Sequence, residues 1–236
     1  MIRTFFWYLY FWLYMLFSLL LVIPVILLSL PGLHKQREKY IQFTVSTWAK
    51  SLIRAAGGTV QVTGSEHLPE QHTICYIANH QGAFDIPIIL GHLPGAPGFI
   101  AKKELALLPI VNIWMKSIGC LFIDRSNRRA AIASITKGVK QLQSGKSIIL
   151  FPEGTRSRGP KMNSFKQGSL KLPIRSRTPI VPITISGSYQ LKEEKGRIHP
   201  GTVSLTIHQP IDSTGYREDE TKRLSDELTR VISSAL

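Results

Sequence analysis

Residues 4–33 form a run of 30 positions without a formal charge, dominated by Phe, Trp, Tyr, Leu and Ile. A single bilayer-crossing helix needs about 20 apolar residues, so the run is long enough to cross. It is too long for the apolar region of a cleaved signal peptide and carries no A-x-A cleavage pattern. Pro24 and Pro31 interrupt it, and Trp7, Tyr8, Tyr10, Trp12 and Tyr14 crowd its first half instead of marking two interfaces. The pattern then becomes amphipathic. Over residues 36–56, Ile41, Val45, Trp48 and Leu52 repeat on one helical face, with Lys39, Lys50 and Arg54 among the polar positions. Two arrangements satisfy both segments: a spanning helix, or a bent helical hairpin set into one leaflet.

Beyond Gly57 and Gly58 the period shortens. Alternating or continuously apolar runs predict strands at 59–63, 73–78, 98–101, 120–123, 147–151, 180–185 and 203–208. Between them lie helical patterns at 86–90 (with Pro87 in its first turn), 104–117 (which Pro109 must bend or break), 128–143 and 218–235. Strands alternating with helices predict an α/β domain with a mixed, largely parallel sheet flanked by helices, preceded by a membrane-embedded helical segment. The expected boundary separates residues 1–56, the anchor, from residues 57–236, the globular α/β domain. No internal repeat or linker divides the rest.

Charge narrows the partners. The chain carries 29 Lys and Arg against 15 Asp and Glu, a formal net charge of +14 in 236 residues. An anionic partner follows, whether lipid headgroup, phosphorylated small molecule or nucleic acid. No RNA- or DNA-binding signature accompanies the charge, which sets nucleic acid aside. His34, Lys35, Arg37 and Lys39 outweigh Arg3 and the α-amino group, which puts the remaining domain on the cytoplasmic side of the cell (inner) membrane. The only two cysteines, Cys75 and Cys120, sit in apolar runs and read as buried thiols. They provide neither a disulfide framework nor a zinc site.

Three polar motifs directly follow predicted strands: residues 79–85 (NHQGAFD), Asp124-Arg125, and residues 152–157 (PEGTRS). In parallel α/β sheets ligands bind beyond the carboxyl ends of the strands, so the three meet at one edge if their strands are parallel neighbours. His80 and Asp85 are the candidate catalytic pair. A turn through Gly82 brings the carboxylate to one ring nitrogen and leaves the other as a base. On spacing alone, Asp85 could equally cap its helix and His80 be a satisfied turn residue. There is no G-x-S-x-G elbow, so a substrate supplies the nucleophile, water or an alcohol. The 151–157 loop, which bears Gly154, can present backbone N–H groups and Thr155 or Ser157 a hydroxyl, while Arg156 offers a planar fork for phosphate. Glu153 suits orientation of Arg156 or of a substrate hydroxyl. Lys102, Lys103 and Arg125 follow neighbouring strands and could add charge. A metal on His80 and Asp85 would have only two protein ligands, a poor site.

At these residues the chain resembles the 1-acylglycerol-3-phosphate acyltransferases. That family carries an NHx4D motif, which stands here at residues 79–85. Its second block, a glycine and apolar residues closing on arginine, is similar to residues 119–125. Its third, FPEGTRS, is intact at 151–157, and its fourth, a proline-bearing apolar strand, resembles residues 179–183. The four occur in family order. The resemblance implies a glycerolipid-acyltransferase-like fold and an acyl transfer from acyl-CoA or acyl carrier protein to the sn-2 hydroxyl of 1-acyl-sn-glycerol 3-phosphate, yielding phosphatidic acid. His80 would be the general base, oriented by Asp85. Glu153, Gly154, Thr155 and Arg156 would bind the phosphate, assisted by Arg125 and Lys102 or Lys103. Neither metal nor other cofactor is implied. The other acceptors to weigh are glycerol 3-phosphate and other lysolipids. Outside the enzyme class the rival is a membrane-anchored binder of acidic lipid or nucleic acid without activity.

Overall fold

The computed structural model describes residues 1–70, 73–124 and 128–236. Two long helices come first, α1 (Ile2–Leu27) and α2 (His34–Ala56). They run antiparallel: Arg3 Nη1 donates to the Ala56 carbonyl at 3.3 Å, Trp7 Nε1 to that of Leu52 at 3.0 Å, and the Tyr40 hydroxyl to that of Leu21 at 3.2 Å. Pro24 lies inside the last turn of α1, and Gly57, at φ 76°, ends α2 in a left-handed cap.

The seven strands follow: β1 (Gly58–Thr63), β2 (Cys75–Ala78), β3 (Gly98–Lys102), β4 (Leu121–Ile123), β5 (Ile148–Leu150), β6 (Ile180–Ser186) and β7 (Gly201–Ile207). They form one sheet ordered β1-β7-β6-β2-β5-β3-β4. The pairings within β6-β2-β5-β3-β4 are all parallel; β7 runs antiparallel to β6, and β1 parallel to β7. The sheet is therefore mixed and largely parallel. The helices α3 (Asp85–His92), α4 (Val111–Ser117), α5 (Arg128–Gln143), α6 (Lys171–Ser176) and α7 (Thr221–Ser233) flank it.

Strand alternation divides the core into two layers. On β2, Tyr76 and Ala78 face a cluster that includes Ile41, Val45, Ala49 and Ile53 of α2 and Ile88 and Ile89 of α3. Cys75 and Ile77 face the other way, toward Leu142 of α5, Leu172 of α6 and Leu224, Leu228 and Ile232 of α7. The apolar face of α2 is thus a wall of this core, while α1 rests on α2 and keeps Leu9, Leu13, Leu16, Phe17 and Leu20 exposed.

Pro109 does break the helix expected over 104–117. A short 3-10 turn covers Lys103–Leu107, and α4 begins only at Val111. Between them Ile110 takes φ 63°, ψ −52°, and the Val111 N–H reaches back to the Pro109 carbonyl at 2.6 Å. That tight reversal is strained for a β-branched residue and lets two short pieces pack where one straight helix would not.

Candidate active site

The parallel pairing carries the ends of β6, β2, β5, β3 and β4 to one edge, where the chemistry-bearing loops emerge. Asn79, the first residue past β2, fixes that strand's end to β6. Its side-chain amide donates to the Ile185 carbonyl and accepts from the Ile185 N–H, each at 2.8 Å. The next residue, His80, turns into the crevice. Its Nδ1 lies 2.6 Å from Oδ2 of Asp85.

Asp85 is the first residue of α3 and has no exposed surface. Its Oδ2 also accepts the Gly82 N–H at 2.9 Å, and its Oδ1 accepts the Ser188 hydroxyl. With Gly82 and Ser188 both donating to it, the carboxylate is placed to accept from Nδ1 of His80, the tautomer that leaves Nε2 free. The imidazole stacks on Phe151 with ring centroids 4.2 Å apart and planes inclined by 21°. Carboxylate and aromatic ring together fix its rotation and leave Nε2 as the nitrogen available for chemistry.

His80 lines a cavity of about 540 Å³ that it shares with Lys102, Gly154, Thr155, Arg156 and Arg158. The remaining wall is mostly apolar and runs up to α1 and α2 through Tyr14, Met15, Ser18, Val45 and Trp48. One end is basic and polar while the other is oily, a shape that suits an amphiphile. Gly154 holds φ at +72°, a conformation glycine adopts without cost, and a side chain added there would meet Lys166 Nζ at 2.9 Å.

The candidate residues do not all converge. Glu153 is buried with its back to the cavity. Its Oε1 accepts the His80 N–H at 2.6 Å and its Oε2 the Asn163 N–H at 2.8 Å, so it clasps backbone instead of orienting Arg156 or a hydroxyl. Burial pushes its carboxyl pKa upward, against the pull of those hydrogen bonds. Lys103 pairs with Asp124 at 2.6 Å and stands outside the cavity wall, whereas Lys102 is part of it. Arg125 lies outside the described residues. Both thiols are buried, and desolvation pushes that of Cys120 up to about 12 and that of Cys75 further.

Several site residues lie outside the motifs. Gly187, Ser188 and Glu193 come from the segment after β6. Gly187 N–H donates to Gln81 Oε1 at 2.9 Å, Ser188 reaches Asp85, and Glu193 Oε1 accepts both the Ala83 N–H at 2.8 Å and Arg156 Nη1 at 3.0 Å. Ser188 is an ordinary serine past a strand, and Glu193 stands in the run Lys-Glu-Glu-Lys, which reads as a solvated surface. Nothing in the sequence marks either.

The fold and the crevice together define an α/β acyltransferase, and residues 59–186 match the family model described as Acyltransferase. The 1-acyl-sn-glycerol-3-phosphate acyltransferase of Borreliella burgdorferi is 34% identical over 172 residues, 72% of this chain and 68% of that protein. The chloroplastic enzyme BAT2 of Brassica napus, of the same name, is 30% identical over 180 residues; these cover 75% of this chain and 52%, about half, of the plant protein. The crystal structure of the 1-acyl-sn-glycerophosphate (LPA) acyltransferase PlsC from Thermotoga maritima superposes with a TM-score of 0.87 at 29% identity. It covers 99% of this chain and 93% of that one. The chain belongs to the 1-acyl-sn-glycerol-3-phosphate acyltransferase family.

Proposed function

We propose that this acyltransferase moves a fatty acyl group from an acyl-CoA or acyl-carrier-protein thioester to the sn-2 hydroxyl of 1-acyl-sn-glycerol 3-phosphate, forming phosphatidic acid for phospholipid synthesis. The observation that carries the reading is a single cavity holding a carboxylate-tethered imidazole at its polar end and Arg156 beside it. The acceptor hydroxyl attacks the thioester carbonyl as His80 Nε2 takes its proton. The tetrahedral adduct collapses, the C–S bond breaks, and the imidazolium returns the proton to the departing sulfur as thiol. Asp85 holds the ring and offsets its transient charge. Arg156, the Gly154–Thr155 backbone and Lys102 receive the phosphate. Lys103 would have to leave Asp124 to help, and Glu153 serves by holding His80 in place.

The apolar half of the cavity favours an acceptor with an acyl tail over glycerol 3-phosphate. The exposed face of α1 supports a membrane-seated protein: this helix is long and apolar enough to cross a bilayer. However, α2 lies antiparallel along it and is built into the core, and it carries Lys50 and Arg54 near the Trp7 end of α1. A monotopic hairpin in the cytoplasmic leaflet of the inner membrane fits that packing better than a span, because a span would draw these charges toward hydrocarbon. The surplus of basic residues suits an anionic leaflet, at about 1 kcal/mol per Lys or Arg near the surface.

A matrix of donors and acceptors tests the reading. Purified protein in lipid or detergent is given acyl-CoA or acyl carrier protein thioester with 1-acyl-sn-glycerol 3-phosphate, glycerol 3-phosphate or monoacylglycerol. The phosphorylated lysolipid should react fastest by at least about tenfold in kcat/KM, the scale of one charge-assisted contact. Equal rates on the phosphate-free acceptor would remove Arg156 from substrate binding.

A further inference from the structure

We infer that Glu193 is a positioning residue of this active site, locking the Arg156 guanidinium to the turn that carries His80 so that base and phosphate ligand keep one spacing. The inference rests on the phosphate role of Arg156. Glu193 follows β6 and belongs to none of the four sequence blocks, yet one of its oxygens serves both halves of the site. Oε1 accepts the Ala83 N–H at 2.8 Å, within the 79–85 turn, and Arg156 Nη1 at 3.0 Å, in the 151–157 loop.

Three features separate this contact from an ordinary surface ion pair. The Glu193 side chain is only 6% exposed while that of Arg156 is 39% exposed, so a buried carboxylate holds a guanidinium that also lines the cavity. The second oxygen, Oε2, is buried without a hydrogen-bond partner among the described residues. An unsatisfied buried acceptor is destabilising, and packing alone gives no reason to retain it. Finally, Oε2 occupies the space that a side chain at Gly82 would fill, 2.6 Å from the position of such a Cβ. The missing side chain in the NHx4D turn is the seat of this carboxylate.

Guanidinium geometry makes the bridge possible. Arg has five N–H donors in a rigid fork, so one nitrogen can stay on Glu193 while the others meet phosphate. Without the carboxylate the long side chain regains its rotamers, and that entropy must be surrendered on each binding event. The hydroxyl-activating pair of His80 and Asp85 is untouched. A loss of this kind falls on KM.

The test is a double-mutant cycle on the full chain, with acyl-CoA as donor and 1-acyl-sn-glycerol 3-phosphate as the varied acceptor. Glu193→Gln preserves shape and the Ala83 contact while removing the carboxylate charge that faces Arg156. It should raise KM by about 5–10-fold with kcat changed by less than about threefold, and Arg156→Ala should raise KM by at least about tenfold. In the Arg156→Ala background Glu193→Gln should change KM by less than about twofold, because nothing is left to position. Should Glu193→Gln fail to fold, Glu193→Asp carries the same test: it keeps the charge, withdraws it by one methylene, and gives the same KM-only loss, cancelled by Arg156→Ala. If Arg156→Ala raises KM and Glu193→Gln leaves it unchanged, Glu193 is not a positioning residue. If the two effects multiply in full, Glu193 is scaffold independent of Arg156, and the inference is equally overturned. If Arg156→Ala itself leaves KM unchanged, the phosphate role fails first and the inference with it.

Discussion

Three donors meet the Asp85 carboxylate, from Gly82, His80 and Ser188, and each serves a different purpose. The Gly82 N–H closes the turn, the Ser188 hydroxyl holds the free oxygen, and the imidazole is held in one tautomer. Asp85→Asn should leave the fold intact and offer an amide that cannot enforce that tautomer. We expect kcat to fall on the order of 10²–10⁴-fold with KM little changed, read by steady-state kinetics beside circular dichroism. A variant with near-normal kcat would make Asp85 a helix cap and nothing more. At this scale the sequence was legible where chemistry sits in a contiguous motif. The pairing of His80 with Asp85 follows from a five-residue spacing and a glycine turn. Glu153 reads from sequence as an orienting residue because composition shows a charge near an arginine but not which way the carboxylate faces, and here it faces the His80 and Asn163 N–H groups. Nothing in the pattern marks Glu193: its neighbours in sequence are Lys192, Glu194 and Lys195, and burial of one member of a charged run leaves no trace there.

Periodicity, together with apolar runs, locates the seven described strands and the long helices: α2 and α7 bury one amphipathic face, whereas β2, β5 and β6 are buried on both faces and read as continuous apolar runs. It was silent on α6 and the 3-10 turns, which are too short for a period to register. It also showed that α2 is amphipathic without showing what its apolar face meets: lipid and a protein core look alike from one strand of sequence. A buried group on an element's end gives a prediction here. His208, just past β7, lies 2.8 Å from the Thr184 hydroxyl, which itself donates to the Ile232 carbonyl. Burial, with a smaller contribution from the nearby His67, lowers its pKa below the ordinary 6.5. The unfolded chain therefore takes up this proton first as pH falls. The stabilisation is complete above about pH 6.5 and is lost as pH drops through the lower native value. His92, lowered mainly by burial on α3, acts in the same direction. Thermal melts at stepped pH should show Tm falling on acidification below pH 6.5, and His208→Gln should flatten that slope. An unchanged slope would assign the acid sensitivity elsewhere.

At the scale of the molecule, the sheet gathers chemistry at one edge while the hairpin of α1 and α2 closes the cavity's apolar end and leaves an apolar outer face exposed. Under the proposed function, an acceptor with a tail in the leaflet and a phosphate in water would find both ends accommodated without leaving the membrane. Leu13 and Leu16 are 58% and 60% exposed and touch none of the chemistry. Leu13→Asp with Leu16→Asp should release the protein from anionic vesicles in a flotation assay while preserving the far-UV circular dichroism spectrum. Undiminished flotation would deny α1 the membrane. The expected grouping of residues 1–56 as an anchor is a statement about lipid; in packing terms α2 is shared between both roles.

If His80 is the base for acyl transfer, its loss must slow the chemical step itself, which single-turnover acylation of 1-acyl-sn-glycerol 3-phosphate by the His80→Ala variant measures. With both substrates saturating and the variant folded, that step should be slower by about 10²–10⁴-fold. A rate within about tenfold of the parent protein would contradict this role for His80.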